Sequence, residues 1–277
     1  MAQHPPIIAV ERVIIAVNDL GAARERWRCA GFALASEELR AGGFRCARFA
    51  AGAVTIDLCA VQDPSRLGVL AEPTSAALAA GGGIVGWTWG VPAGAGLGTL
   101  ADAPLVLPGI AGDSLLSAAP TRSLPGVFTA AVEISGDLEQ RRAELRRRYG
   151  PNPNGVDYLE HIVVMTTALD DAIELHESLG VPCKRIREAG NGVRQAFFKL
   201  EQTVVEVVGP TPGRPGCWGL AFLSNNIAHA VARASAAGMN LTAPKPAIQG
   251  GKIARIVDPL DGVAVAFMEA AAPAPRR

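Results

Sequence analysis

The chain has 277 residues, enough to bury two cores of ordinary size. Its 26 Lys and Arg balance 26 Asp and Glu, so no net charge attracts it to nucleic acid or to an anionic membrane. Five scattered cysteines, none in a CxxC pair, argue against a disulfide framework or a structural zinc. The sequence shows no leader and no run of about 18 apolar residues. We therefore expect a cytoplasmic protein, monomeric or homodimeric, whose partner is a small molecule.

An internal repeat organises the chain. A shift of 149 residues aligns positions 10–32 with positions 159–181 without a gap, and Glu11 then meets Glu160. Other pairs brought together by the same shift are Arg12 and His161, Gly43 and Gly192, Phe49 and Phe198, and Asp57 and Glu206. The two halves are predicted to be copies of one structural unit.

The N-terminal copy opens with a β-branched run, Val13–Val17, which is typical of a buried strand. Gly86–Val91 predicts the first strand of a second module, and Val127–Ile134 predicts its last strand. Residues 92–126 between them are rich in Gly, Pro, Ala and Ser and predict either a degenerate module or a long loop. We assign residues 7–135 to an N-terminal domain.

A charged helix capped by Asp137 follows, and its arginine run is interpreted as a solvated face. Residues 136–157 are assigned to this connector, 158–270 to a C-terminal domain and 271–277 to a disordered tail.

The C-terminal half predicts strands and helices in the order β-α-β-β-β, twice over. Its first module has an opening strand, a helix that ends at Gly180, and later strands; its second module repeats the order after a Gly- and Pro-rich loop. The predicted segments are Ile162–Met165, the helix from Leu169, Val193–Leu200, Thr203–Val208, Trp218–Leu223, the helix Asn226–Ala237, Lys252–Val257 and Val263–Met268. The predicted fold class is α+β, with tandem βαβββ modules that form two mixed-sheet domains.

Three segments carry a family resemblance: LEHIVVMTTALDDAIELHESLG, GVRQAFFKLEQTVVEVVGP and KPAIQGGKIARIVDPLDGVAVAFME. Together they resemble the vicinal-oxygen-chelate superfamily, which includes glyoxalases, bleomycin-resistance proteins and extradiol dioxygenases. Within it the C-terminal half is most similar to methylmalonyl-CoA epimerases. The N-terminal half resembles a broader glyoxalase-like group through VERVIIAVNDLGAA and GGGIVGWTWGV.

The resemblance implies a divalent metal site in the C-terminal cleft. The family's ligand positions correspond to His161 and Glu206 in the first module and to Gly219 and Ala266 in the second. The last two carry no ligand, so the implied site is incomplete and would hold a divalent ion weakly or not at all. His161 and Glu206 are the candidate catalytic residues. Restoring both missing ligands, with Gly219→His and Ala266→Glu, is expected to raise metal affinity.

Two further residues are candidates for substrate binding. Gln195 alternates with Val193 and Phe197 on one strand face, and a lone amide there favours a cleft over a dry core. Trp218, next to Gly219, either lines the cleft or packs in the core. In the first copy, Arg12 and Asp57 stand at the places of His161 and Glu206, and we expect an ion pair that closes a structural cleft.

Three functions remain open. The first is an enzyme that performs proton-transfer, lyase, isomerase or dioxygenase-type chemistry on a small carbonyl or carboxylate compound. The second is a metal-free protein that binds and sequesters a small molecule, and the third is a scaffold without a ligand.

Overall fold

The computed structural model describes residues 6–35, 38–94, 97, 105–108, 115–134, 137–248 and 250–271. The N-terminal strands and helices are β1 Ala9–Ala16, α1 Leu20–Cys29, β2 Leu39–Ala41, β3 Phe44–Ala51, β4 Val54–Val61, α2 Ala71–Ala79, β5 Gly83–Pro92, β6 Leu105–Pro108, β7 Leu115–Pro120 and β8 Phe128–Ile134. Two 3-10 turns, Pro64–Arg66 and Gly68–Leu70, precede α2.

A single helix, α3 Leu138–Tyr149, leads to the second half. The C-terminal strands and helices are β9 Val156–Met165, α4 Leu169–Ser178, β10 Arg185–Gly190, β11 Val193–Leu200, β12 Thr203–Gly209, β13 Gly216–Ser224, α5 Ile227–Ala236, β14 Lys245–Pro246, β15 Lys252–Arg255 and β16 Ala264–Glu269.

Each half forms one curved, mixed, eight-stranded sheet. The strand orders are β2-β3-β4-β1-β5-β8-β7-β6 and β10-β11-β12-β9-β13-β16-β15-β14. The second order is the first with every strand replaced by its counterpart in the repeat. The predicted α+β class, with two tandem mixed-sheet units, is therefore confirmed.

Strand register confirms the repeat residue by residue. Arg12 of β1 pairs with Thr55 of β4, and His161 of β9 pairs with Val204 of β12, so both partners keep the offset of the sequence alignment. The side chains at the two candidate positions consequently point from equivalent places into equivalent concave faces.

The second module of the N-terminal half departs from the pattern. Between β5 and β6 the described residues contain no α-helix, whereas α1, α4 and α5 occupy that place in the other three modules. The described part of residues 92–126 instead carries the antiparallel pair β6 and β7. The predicted tail falls almost wholly on residues 272–277, which lie outside the described residues.

The two sheets pack through their helix-bearing faces. Phe32 and Phe49 of the first half contact Phe222 of the second, with ring centroids 4.9 and 6.2 Å apart. The buried carboxylate of Asp261 accepts hydrogen bonds from Arg26 and from the Trp27 indole, both in α1. One continuous core therefore lies between the sheets, and both concave faces point away from it.

The arginine run of α3 is solvated at Arg146, Arg147 and Arg148, whereas Arg142 is partly buried. Arg141 is buried and donates a 2.7 Å hydrogen bond to a carboxylate oxygen of Glu11 and another to the carbonyl of Ala53. The connector is thereby anchored on the first sheet. None of the helices in the described part of the chain has the length and apolar character that a membrane span needs.

Candidate functional site

The concave face of the C-terminal sheet encloses an open cleft of about 630 Å³. Its floor comes from β9, β11, β12, β13 and β16, and its far wall from β14 and β15. Apolar side chains form most of the lining, and the ionisable or amide groups among them are His161, Arg187, Gln195, Glu206, Lys245 and Arg255. All four site residues predicted from the sequence, His161, Gln195, Glu206 and Trp218, line this one cleft.

Glu206 lies on β12 and faces the cleft. Its Oε1 accepts a 2.6 Å hydrogen bond from the amide nitrogen of Gln195 on β11, which fixes the carboxylate. Burial raises the pKa of Glu206, and the neighbouring His161 and Arg187 together with the Gln195 hydrogen bond offset this only in part. The site thus holds a carboxylate whose proton affinity is higher than that of a solvated glutamate.

His161 is buried on β9, the strand beside β12. Its ring meets that of Phe197 edge-on, with centroids 6.5 Å apart, and its Nδ1 lies 3.5 Å from a carboxylate oxygen of Glu160. Glu160 is the repeat counterpart of Glu11, which contacts Arg12 in the first half. Both copies therefore place a glutamate beside the side chain that enters the cleft.

Trp218 lies at the mouth of the cleft and is half exposed. The pairing of β13 with β9 shifts between Cys217 and Gly219, so Trp218 is the extra residue of a bulge. Its neighbour Cys217 packs against the core on the opposite face, as a small hydrophobic residue does. Of the two placements considered for Trp218, the structure shows the cleft.

The equivalent place on the first sheet is occupied by buried charged side chains, among the residues that the structure describes. Asp57 receives two hydrogen bonds from Arg48, of 2.5 and 2.7 Å, and lies 3.3 Å from Arg12; all three side chains are fully buried. Around them apolar side chains fill the concave face, with Leu67 and Leu70 from the 3-10 turns over them. The expected ion pair between Arg12 and Asp57 is confirmed, with Arg48 as an additional partner.

Similar folds occur among solved structures. A mutant of 4-hydroxymandelate synthase from Streptomyces coelicolor matches 97% of this chain and 94% of its own, at 15% identity and a TM-score of 0.64. A fusion of a xylose isomerase-like TIM barrel with 4-hydroxyphenylpyruvate dioxygenase matches 99% of this chain at 15% identity and a TM-score of 0.65; this chain spans about half of that protein, 51%. Methylmalonyl-CoA epimerase from Mycobacterium tuberculosis matches 43% of this chain and 91% of its own, at 22% identity and a TM-score of 0.38. No protein-family model and no curated protein sequence matches the chain.

The fold is that of the vicinal-oxygen-chelate superfamily. Each module of the C-terminal sheet contains one parallel strand pair, and the two pairs have equivalent registers. His161 pairs with Val204 in the first module, and Gly219 pairs with Ala264 in the second. Ala266 consequently corresponds to Glu206, and the sequence assignment of Gly219 and Ala266 to the two missing ligand positions agrees with this register.

The donor set of the C-terminal cleft does not fit a stably held catalytic metal. His161 and Glu206 provide two donors, whereas catalytic zinc sites have three protein ligands. Among the described residues no three or more His, Cys, Asp and Glu side chains are grouped so as to hold an ion. The side chains of the cleft are therefore the groups that can carry chemistry at this site.

Gly219 lies where β13 and β16 approach each other closely, so any side chain at this position is crowded. A Cβ atom there would lie 2.5 Å from the carbonyl oxygen of Ala264, and one at Gly86 in the first half would lie 1.8 Å from the carbonyl oxygen of Phe128. Both glycines are needed where two parallel strands approach closely. Whether Gly219→His together with Ala266→Glu raises metal affinity stays a prediction, and a side chain at position 219 must also displace the neighbouring strand.

Three cleft residues were missed by the sequence analysis: Arg187, Lys245 and Arg255. Arg187 pairs with Gln195 across β10 and β11, and Arg255 pairs with Ala266 across β15 and β16. Cross-strand partners point to the same face, so each residue could have been placed once its hairpin register was known.

Proposed function

We propose that the C-terminal cleft binds a small molecule with a carbonyl or carboxylate group and catalyses proton transfer on it, with Glu206 as the base. The observation that carries this proposal is the half-buried carboxylate of Glu206, which is held by an amide, has a raised pKa and faces an open and largely apolar cleft. A base works best when its pKa approaches the working pH, and burial moves Glu206 in that direction.

The chemical step follows from the positions of the charges. Glu206 removes a proton from the carbon next to a carbonyl, the C–H bond breaks, and its electron pair moves into the carbonyl as an enolate. Arg187 carries the positive charge close to this point and favours the developing oxyanion. His161, beside Glu206 on the adjacent strand, is placed to return a proton to the substrate.

The test is solvent-proton exchange. The full chain is incubated in deuterated buffer with a panel of 2-oxo acids, 3-oxo acids and acyl thioesters, and mass spectrometry detects deuterium at carbon. We expect exchange in at least one compound class, lost by at least about 100-fold in Glu206→Gln, as for removal of a general base. Glu188→Gln, an exposed carboxylate on β10, is the matched control and should exchange normally.

The second candidate function is metal-free binding and sequestration. It is favoured by the apolar lining and by the glycine and alanine at the two missing ligand positions. The same panel separates the two functions: if a compound binds the wild type and Glu206→Gln equally and neither protein exchanges its protons, the cleft sequesters and the enzymatic proposal fails.

A further inference from the structure

A continuous strip of small residues crosses the floor of the C-terminal cleft. In the cross-strand register His161 lies opposite Ala221, Ala221 opposite Ala266, and Ala266 opposite Arg255. Three strand spacings separate the two ends, at most about 14 Å at the backbone. Since both middle positions carry only a methyl group, the space above them is open between the imidazole and the guanidinium.

The far end of this strip is positively charged. Arg255 and Lys245 both line the cleft from the wall formed by β14 and β15, and neither forms an ion pair within the described part of the chain. Glu206 is the single carboxylate among the lining residues, at the opposite end of the strip. In a chain with zero net charge this local excess of cations does not follow from composition.

The backbone holds Arg255 in place. Its amide donates a 3.0 Å hydrogen bond to the hydroxyl of Thr242, and its carbonyl accepts one of 3.0 Å from the Thr242 amide. Apolar side chains surround the cationic pair: Ile253 is two residues before Arg255 and pairs with Lys245, and Ile248 stands 77% exposed at the rim. This arrangement places a cationic side chain, on an anchored backbone, beside apolar surface, which suits an amphipathic ligand.

We propose that Arg255 and Lys245 form an anion subsite, and that the ligand of this cleft is a small amphipathic anion. Its carboxylate or similar group binds at Arg255, and its apolar body lies along Ala266 and Ala221 toward Glu206. This inference rests on the proposed function for the reacting end of the ligand, and it adds the substrate class: an acid whose anionic group and reacting carbon stand several bonds apart.

The experiment uses a pair of fluorescent probes that differ in charge. Anilinonaphthalene sulfonate is an apolar anion, and phenylnaphthylamine is its neutral counterpart. Both are titrated into the wild-type chain, Arg255→Met, Lys245→Met and the control Arg147→Met, which removes an exposed charge from α3. Decanoate and decanol then compete with the bound sulfonate dye, and circular dichroism verifies that each variant is folded.

We expect Arg255→Met to weaken the sulfonate dye about tenfold, the usual value of one charge-assisted hydrogen bond, and the neutral dye less than about twofold. Lys245→Met should give a smaller loss with the same selectivity, and decanoate should displace the dye better than decanol. Equal effects on both dyes, no effect of Arg255→Met, or failure of the sulfonate dye to bind would overturn the subsite. Wild-type protein that shows the charge selectivity but exchanges no proton in any compound of the deuterium panel would refute the enzymatic proposal alone.

Discussion

The two concave faces of this protein share one backbone plan and differ in what occupies them. In the first half Arg12, Arg48 and Asp57 form a buried ion cluster, with Arg12 and Asp57 at the repeat positions of His161 and Glu206. In the second half His161 and Glu206 stand at the same register positions in an open cleft. Arginine side chains occupy the concave face of the first half, whereas the concave face of the second half has a half-buried carboxylate and an open cleft.

The largest expected effect concerns the filled cleft. Asp57→Asn leaves Arg12 and Arg48 buried without their shared carboxylate, so we expect a loss of about 3–5 kcal/mol in the free energy of unfolding. Asp170→Asn, which breaks the exposed pair with Arg194, should cost less than about 1 kcal/mol. Urea unfolding at neutral pH measures both, and equal losses would contradict the structural role of the first cleft.

A smaller effect is expected at the two matched glycines. Gly86→Ala and Gly219→Ala each place a Cβ against the carbonyl of a parallel neighbour, and we expect losses of roughly 1–3 kcal/mol in each half. Ala266→Ser, on the open floor of the second cleft, should be nearly neutral. Thermal unfolding of the three variants tests this, and a stable Gly219→Ala would mean that β13 and β16 are paired differently.

In the open cleft, removing a charge should stabilise the fold, whereas in the filled cleft it should destabilise it. Because the pKa of Glu206 is raised in the folded state, its ionisation disfavours folding; this penalty is absent below the ordinary pKa of 4.5 and grows as pH rises through the folded value. The stability of Glu206→Gln relative to the wild type should therefore increase as the pH rises from acid to alkaline values. Melting temperatures from pH 4 to 8 measure the trend, with Glu188→Gln as control; a flat difference would show a solvated carboxylate.

Metal content gives the smallest expected signal. Protein purified without chelator should hold well under one divalent ion per chain, because two protein donors bind such ions weakly. Elemental analysis by mass spectrometry measures it, with Glu206→Gln as the matched variant. One tightly held, stoichiometric ion that disappears in this variant would reveal a ligand beyond His161 and Glu206.

Much of this architecture could be predicted from the sequence because it follows from local patterns. The strand-like segment Val193–Leu200 has the bounds of β11 in the structure, and the repeat offset predicted the ion pair between Arg12 and Asp57. The repeat can be recognised from single residues at a fixed offset. It therefore remains visible although the side chains at the site positions differ between the two halves.

The rest depended on long-range pairing. Arg255 reaches the cleft because β15 pairs with β16 in one register, and the short β14 that carries Lys245 has no apolar pattern of its own. The need for glycine at position 219 arises from the approach of β16, and Arg141 is buried because Glu11 lies beneath α3. None of these contacts has a local sequence signal.

The central claim is that the second cleft, and not the first, receives the ligand, and methionine methyl NMR tests it most directly. The chain has four methionines, of which Met165 and Met268 line the C-terminal cleft, whereas Met239 packs against the core. With methyl-labelled methionine and added decanoate, we predict saturable shifts of the Met165 and Met268 signals and an unmoved Met239. Decanoate binding detected by dye displacement, without any shift of Met165 or Met268, would contradict the account.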